Sequence, residues 1–236
     1  MTTHTKICLI MACWCISITL GLSQINKEQI KKIEANFLNN PSDVRNYQAL
    51  SSLISNHYLQ ITTEERFKIR KLLTKNSVLP TIKICSLDEA GIPITIKGLV
   101  LSAKGDTLKN VKIFVFHTDS RGYYAPDDSI NKRMNEADPR LFGCVRTDEK
   151  GHFEFSTIHP GTYPKKYNGR FIPQHIHLEI EHSGYQTFKI QMAFEDDPAM
   201  KDPYWRDWAK DLNFPVIHFV QENGLQVGTY NIILKK

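Results

Sequence analysis

The chain has 236 residues, of which 41% are hydrophobic and 23% are charged. That composition is typical of a folded globular protein and argues against an intrinsically disordered chain. The formal net charge of +5 is spread along the sequence without a dense basic run interleaved with aromatic residues, which argues against nucleic acid as a partner.

The N-terminal residues 1–23 have the form of a signal peptide. Lys6 precedes an apolar run from Ile7 to Leu20, and the small residue Ser23 follows shortly afterwards. The run is too short to span a bilayer comfortably, and a buried N-terminal helix is the alternative. We expect cleavage before Gln24, a secreted or periplasmic mature protein, and no stable membrane insertion after cleavage.

The cysteine count excludes a disulfide scaffold. Three of the five cysteines lie in the predicted signal peptide, so cleavage would leave Cys85 and Cys144. These two could pair in an oxidising compartment, or each could be an independent buried hydrophobe. The sequence leaves both alternatives open.

Residues 24–79 have the periodicity of helices. Apolar residues recur three or four positions apart from Ile30 to Leu38 and again around Leu50, as one face of an amphipathic helix requires. The segment Thr62–Glu65 predicts the start of a third helix, because a threonine ahead of acidic residues is a capping signal. We therefore predict a small helical N-terminal unit without clustered chemistry.

After Pro80 the sequence changes to short alternating segments rich in Val, Ile, Thr and Phe, separated by turn residues. Many short strands without long helices between them favour a mainly β domain over residues 80–236, built as an antiparallel β-sandwich. The segments predicted as strands are Lys97–Ala103, Val111–His117, His152–Phe155, His175–Glu181, Thr187–Phe194 and Gly228–Leu234.

A pair of histidines in the segment PQHIHLEI is the first candidate site. His175 and His177 project from the same face of the predicted strand, because side chains on a strand repeat every two residues. Upstream, Tyr163 follows a glycine turn in GTYP, and Tyr123 and Tyr124 follow one in GYY. Phenols and imidazoles without a thiolate suit Fe(III) better than Zn(II) or Cu(I). A phenol binds as phenolate only where a strong Lewis acid drives off its proton.

Five motifs lie in order between Gly98 and Pro198, namely GLVLSAKGDTLKNVKIFVFHTDSRGYY, DPRLFG, TDEKGHFEFSTIHPGTYP, PQHIHL and FEDDP. In their order and spacing they resemble the intradiol ring-cleavage dioxygenases of the protocatechuate and catechol type. The resemblance covers a little under half of the chain. It implies a prealbumin-like β-sandwich and an oxidoreductase that incorporates both atoms of O2.

The resemblance also implies a non-haem Fe(III) held by two tyrosines and two histidines. The matching positions are Tyr124, Tyr163, His175 and His177. Tyr124 is preferred to Tyr123 because the family places its ligand second after the glycine. A catechol-type aromatic diol would bind the iron through both oxygens, and Tyr163 would leave the metal and accept a substrate proton. The ring would then open between its two hydroxylated carbons.

The chain departs from the family ahead of the first histidine, where family members commonly carry an arginine. Ile172 and Pro173 stand there instead. We predict Arg170 as the catalytic arginine that lies against the substrate, although the sequence leaves open whether it reaches the site or faces solvent. Turn residues are predicted at Asp127, Asp128 and Asp138. A capping element on the sandwich is predicted at Trp205, Trp208 and Phe214.

Two other classes of function remain open. A non-catalytic prealbumin-like or carboxypeptidase-regulatory-like β-sandwich would share the patterns of Gly98–Phe116 and Thr147–Phe155, but it has no reason to contain the four predicted ligands in this order. A protein that holds iron without turnover is favoured by the missing arginine alone. The sequence does not determine which catechol is used, the role of the helical unit or the oligomeric state.

Overall fold

The computed structural model describes residues 25–86, 88–131 and 134–236. The predicted signal peptide lies outside these residues, so its cleavage stays a prediction. Within the described ranges, no helix combines the length and the apolar character that a membrane crossing needs.

Three helices open the described chain, as the periodicity predicts. They are α1 (Lys27–Asn39), α2 (Val44–His57) and α3 (Thr63–Asn76). The capping signal before α3 is confirmed: the Thr62 side chain accepts from the backbone N–H of Glu65, and the Glu65 carboxylate accepts from the backbone N–H of Thr62. This reciprocal pair satisfies backbone donors that a helix start leaves without partners.

The strands that follow form two sheets. The first has the order β1-β5-β2-β10-β9, with β11 also paired to β2, and the second has the order β4-β3-β6-β7-β8. A short helix α4 (Asp128–Asn131), a 3₁₀ turn (Pro198–Lys201) and helix α5 (Pro203–Asp211) interrupt the strands. The strands are β1 (Thr81–Lys83), β2 (Pro93–Ser102), β3 (Lys112–His117), β4 (Leu141–Arg146), β5 (His152–Ile158), β6 (His175–Glu181), β7 (Phe188–Phe194), β8 (Val216–Ile217), β9 (Phe219–Glu222), β10 (Leu225–Thr229) and β11 (Ile232–Leu234).

The predicted antiparallel pairing is found in part, because both sheets also contain parallel neighbours. The central pairings β2/β5, β3/β4, β3/β6 and β6/β7, together with β9/β10, are antiparallel. The pairings β1/β5, β2/β10, β2/β11 and β7/β8 are parallel. Parallel neighbours need a long connection rather than a hairpin. Between β7 and β8 that connection is the 3₁₀ turn and α5, which carry the chain back to the same end of the sheet.

The helical unit packs onto the second sheet rather than standing apart from it. Helices α2 and α3 contact β4, and Tyr47 of α2 belongs to the same buried cluster as the strand side chains. The Tyr47 hydroxyl accepts a hydrogen bond of 2.8 Å from the backbone N–H of Cys144. Cys85 and Cys144 are both buried and free, so each is an independent hydrophobe and they form no disulfide.

A buried charge cluster ties α3 to the segment that precedes β4. The Asp138 carboxylate accepts from Arg66 at 3.0 Å and 2.5 Å and also accepts from Arg70. The Asp138 carbonyl accepts from the Tyr58 hydroxyl at 2.8 Å. All four residues are buried. Asp138 is therefore a link between the helices and the sheet domain, and its interpretation as a turn residue is incomplete.

Candidate metal centre

The two histidines lie on one face of β6, as the strand period predicts. Ile176, between them, points into the core, whereas His175 and His177 occupy the opposite face and are each only 8% exposed. The His177 ring stacks on Phe116 of the neighbouring strand, with ring centres 4.6 Å apart and an angle of 7° between the planes. The sheet and this stacking fix the direction of the imidazole.

The two predicted tyrosines reach the same point from two loops. Tyr124 lies in the segment after β3 and is buried, and Tyr163 lies between β5 and β6 and is partly buried. The Tyr124 and Tyr163 hydroxyls are hydrogen-bonded to each other, Tyr124 Oη lies 2.8 Å from His177 Nε2, and Tyr163 Oη lies 3.1 Å from His175 Nε2. The two Nε2 atoms are 3.1 Å apart. We call these two hydroxyls and two Nε2 atoms the donor cluster.

Two glycines allow the tyrosine loops to touch backbone to backbone. Gly122 has φ +88°, and a Cβ there would lie 1.9 Å from the carbonyl oxygen of Thr162. A Cβ on Gly161 would lie 2.5 Å from the backbone nitrogen of Gly122. The carbonyl of Asp119 accepts from both glycine N–H groups, at 3.0 Å and 2.8 Å. The glycine that opens each of the motifs GYY and GTYP is therefore what lets Tyr124 and Tyr163 meet.

Replacing Gly122 by alanine should separate the two tyrosines. The new methyl group would meet a backbone carbonyl, which cannot turn aside as a flexible side chain does, so one loop must move. We expect the thermal midpoint and the bound iron per chain to fall together. Gly105→Ala is the matched control, because Gly105 has a similar φ of +89° with nothing within 4 Å; it should cost about 1–2 kcal/mol of stability and no iron. Full iron retention in Gly122→Ala would show that the loop contact is dispensable.

The groups behind the histidines direct their Nε2 lone pairs towards the cluster. His175 Nδ1 lies 2.7 Å from the carbonyl oxygen of Pro173, to which it can only donate. His177 Nδ1 lies 3.5 Å from a carboxylate oxygen of Glu136, which is about half exposed. Donation from Nδ1 of His175 leaves its Nε2 free to bind a metal, and the nearby carboxylate of Glu136 favours the same tautomer in His177. Burial lowers the pKa of His175 and lowers that of His177 to about 3, so both imidazoles are neutral at pH 7.

The phenols are the part of the donor cluster that loses its protons only beside a cation. Burial raises the pKa of Tyr163 to about 12 and that of Tyr124 further, so without a nearby positive charge both hydroxyls stay protonated. A highly charged metal ion reverses this preference. The described residues contain no group of three or more His, Cys, Asp and Glu side chains that could hold a metal. The tyrosines therefore supply two of the four protein donor atoms that meet at this point.

The donor cluster fits Fe(III). Three of its donor-atom separations, Tyr124 Oη to His177 Nε2, Tyr163 Oη to His175 Nε2 and Nε2 to Nε2, are 2.8, 3.1 and 3.1 Å. These values are close to the ~2.9 Å between two ligands that lie at right angles and about 2.0–2.1 Å from one metal. Two phenolates would offset two of the three positive charges, and two neutral imidazoles complete a set without sulfur, as a hard ion prefers.

The side chain of Arg170 contacts the start of helix α5. Its Nε donates to Asp202 at 3.0 Å, its guanidinium lies over the ring of Tyr204, and its side chain is 43% exposed. Asn168 and Gly169 both have positive φ and form a tight turn, after which Arg170 is directed towards the start of α5. Its side-chain contacts are thus with α5, and the structure does not bring it into contact with the donor cluster.

Two neighbours of the cluster were missing from the sequence prediction. Phe116 could have been found, because the alternation of β3 puts it on the same face as the histidines of β6. Glu136 could not, since it lies in an irregular segment and approaches His177 only through the tertiary fold. It is the nearest carboxylate to His177 among the contacts of the described residues.

Comparisons with known proteins agree with the motifs. A family model described as dioxygenase matches residues 80–235. The chain is 29% identical over 139 residues to the protocatechuate 3,4-dioxygenase beta chain of Burkholderia cepacia, covering 57% of this chain and 56% of that protein. It is 26% identical over 164 residues to catechol 1,2-dioxygenase 1 of Acinetobacter lwoffii, covering 62% and 50%. The chain therefore spans about half the length of these curated relatives.

Solved structures show the same fold at lower identity. Catechol 1,2-dioxygenase from Pseudomonas arvilla C-1 superposes with a TM-score of 0.52 at 18% identity, covering 86% of this chain and 75% of that one. An intradiol ring-cleavage dioxygenase from Tetranychus urticae gives 0.50 at 20% identity, covering 66% and 86%. The family match extends over well more than half of the chain and includes every residue of the donor cluster, so the chain belongs to the intradiol ring-cleavage dioxygenase family.

Proposed function

We propose that the protein is an exported non-haem Fe(III) dioxygenase that uses O2 to open a catechol-type ring between its two hydroxylated carbons. The observation that carries this proposal is the donor cluster, in which two phenols and two neutral imidazoles meet in a chain of this family. The names of the curated relatives, protocatechuate and catechol dioxygenases, support the reaction class. We also propose that the mixed sheets form a prealbumin-like sandwich.

In this proposal Tyr124, Tyr163, His175 and His177 hold the iron. Fe(III) supplies Lewis acidity, which lowers the pKa of the phenols and of a bound catechol. The histidines bind through Nε2, because their Nδ1 atoms face Pro173 and Glu136. Burial of both imidazoles excludes water from that side of the site.

Tyr163 is the better candidate for the residue that gives way to substrate. Its side chain is partly exposed and lies on a loop that carries few regular hydrogen bonds, whereas Tyr124 is only 2% exposed. Once released, its phenolate oxygen is a stronger base than an exposed phenolate, because burial raises the pKa of Tyr163 to about 12, and Oη can take up a proton from a catechol hydroxyl. Tyr124 would remain in place throughout.

The charges around the cluster favour a neutral catechol. Arg170 is engaged by Asp202, and the carboxylate of Glu136 lies beside His177. We expect catechol to be turned over with kcat/KM about fivefold above that of 3,4-dihydroxybenzoate, because repulsion between like charges costs of order 1 kcal/mol. Oxygen-electrode assays on both substrates measure the ratio.

The Glu136→Gln variant should narrow that preference by improving use of the carboxylated substrate, and Glu222→Gln, at a surface ion pair with Lys97, should leave it unchanged. Turnover of 3,4-dihydroxybenzoate alone would contradict the prediction.

Export has its own expected result. If residues 1–23 are a cleaved signal peptide, protein isolated from the native source should have an intact mass that corresponds to a start at or near Gln24. Retention of Met1 would show that the segment is not cleaved.

The central test uses purified protein from iron-supplemented expression. We expect about one iron per chain, a visible charge-transfer band from phenolate to Fe(III) that shifts when catechol binds, O2 consumption, and the ring-opened dicarboxylic acid as product. Colourless, iron-free protein would replace this proposal with the binding-module alternative. Coloured protein without O2 uptake would indicate iron storage or binding, and yellow extradiol products would refute the reaction class.

A further inference from the structure

A small cavity lies between helix α5 and the outer face of the second sheet, directly against His175. Its volume is about 30 Å³. Ala193 of β7, which lies opposite His175 in the pairing of β6 and β7, lines the cavity beside the histidine. Trp205 and Ala209 of α5 close it from above. The remaining lining residues are Ile172, Pro173, Gln191, Met200, Trp208 and Phe214.

The walls form a second apolar core, distinct from the main one. Ala193, Met200, Trp205 and Ala209 are each less than 9% exposed and pack together as one buried cluster. The start of α5 is fixed by Asp202, whose side chain accepts from the backbone N–H of Tyr204 at 3.0 Å. The indoles of Trp205 and Trp208 are rigid, and the side chains of Ala193 and Ala209 are small, so a gap remains between them.

The size and polarity of the cavity restrict what can occupy it. A catechol is too large, since a cavity that accepts benzene has about 150 Å³. Water fits by volume, but a buried water needs two to four polar partners. The walls offer the Gln191 side chain and the indole N–H of Trp205, a buried donor that has no hydrogen-bond partner among the described residues. These two groups only just reach the lower limit for a water, whereas most of the other lining side chains are hydrocarbon or aromatic, so the walls suit a small apolar molecule better.

We propose that this cavity is a binding site for molecular oxygen next to the metal centre. The inference rests on the proposed function, because O2 is the co-substrate there. One ring connects the two places: His175 borders the cavity and its Nε2 belongs to the donor cluster. An apolar gas partitions from water into such a space, so the cavity holds O2 within one side chain of the point where it reacts.

Xenon reports on the cavity independently of catalysis, since it is an apolar atom that occupies dry cavities. Crystals of the iron-loaded protein pressurised with xenon should show a xenon atom between Ala209 and His175. The Ala209→Val variant adds two methyl groups to the cavity wall and should abolish that peak. Ala199→Val is the matched control, because Ala199 packs against the same apolar cluster but lines the neighbouring cleft instead.

Kinetics supply the second measurement. Ala209→Val should raise the KM for O2 at least about threefold, with the KM for catechol, kcat at saturating O2 and the visible band unchanged. Absence of xenon from the unaltered protein overturns the proposal, and this result does not depend on the variant folding. An Ala209→Val enzyme that loses the xenon peak but keeps its KM for O2 also overturns it. If xenon occupies the cavity but the protein neither binds iron nor turns over catechol, the cavity still binds apolar gases and the proposed function is refuted instead.

Discussion

Replacing His177 by alanine should leave the purified protein without iron. His177 Nε2 is one of the four donor atoms. Without it, a ferric ion would keep only three protein donors, namely two phenols and one imidazole. Ligand number and geometry set metal retention. We expect iron content to fall from about one per chain to below about one tenth, together with loss of the visible band. Elemental analysis and absorption spectra measure both.

His175→Ala should behave in the same way, because both imidazoles lie on the same strand face. His218→Ala is the matched control: His218 is a largely exposed side chain that pairs with Glu195 at the surface, so iron and colour should stay at the level of the unaltered protein. Tyr163→Phe should keep part of the iron, shift the band and slow ring opening, since it removes the proposed proton acceptor. Stoichiometric iron in His177→Ala would refute the proposed shell.

The donor cluster was accessible to sequence reasoning because each of its parts has a local signature. The period of two places His175 and His177 on one face whatever the rest of the chain does. The glycines ahead of Tyr124 and Tyr163 mark the turns that bring the tyrosines out of their strands. How closely the two loops approach depends on Gly122 and Gly161 facing each other, and that contact joins segments about forty residues apart.

Arg170 shows where local reasoning ends. Its distance along the chain from His175 is compatible with a place in the site, whereas its side-chain partners, Asp202 and Tyr204, follow from the tight turn at Asn168 and Gly169 and from the position of α5, which the sequence does not give. The mixed sheets have a similar origin. The alternation of apolar and polar residues predicts that a strand exists and which of its faces is buried. Whether its neighbour runs parallel or antiparallel depends on the connection between them, as the connection from β7 through α5 to β8 shows.

Asp138 is the second residue whose role depends on distant partners. By composition its segment is a turn, yet its carboxylate lies between Arg66 and Arg70, about seventy positions earlier in the chain. The same segment carries Glu136, which faces His177. We therefore expect the helical unit to hold in place the segment that faces one of the proposed iron ligands.

Asp138→Asn should be the most destabilising single substitution in the helical interface. It leaves two buried guanidinium groups without their carboxylate, and loss of one partner from a buried ion pair costs about 3–5 kcal/mol. The urea midpoint should fall accordingly. Glu149→Gln, which breaks an exposed pair with Lys109, is the control and should change stability by less than about 1 kcal/mol.

The contribution of the Asp138 carboxylate to the free energy of unfolding should depend on pH. Burial alone would raise the pKa of Asp138, but hydrogen bonds from Arg66 and the charge of Arg70 outweigh it, so the folded pKa lies below the ordinary value. Its contribution is then complete above about pH 4, the pKa of an unfolded aspartate, and is lost as the pH falls through the lower folded pKa. The difference in unfolding free energy between the unaltered protein and Asp138→Asn should therefore be constant from pH 7 to pH 5 and shrink below pH 4. A difference that stays constant throughout, or a urea midpoint equal to that of Glu149→Gln, would show that the arginines find other partners and that the helices hold the Glu136 segment by packing alone.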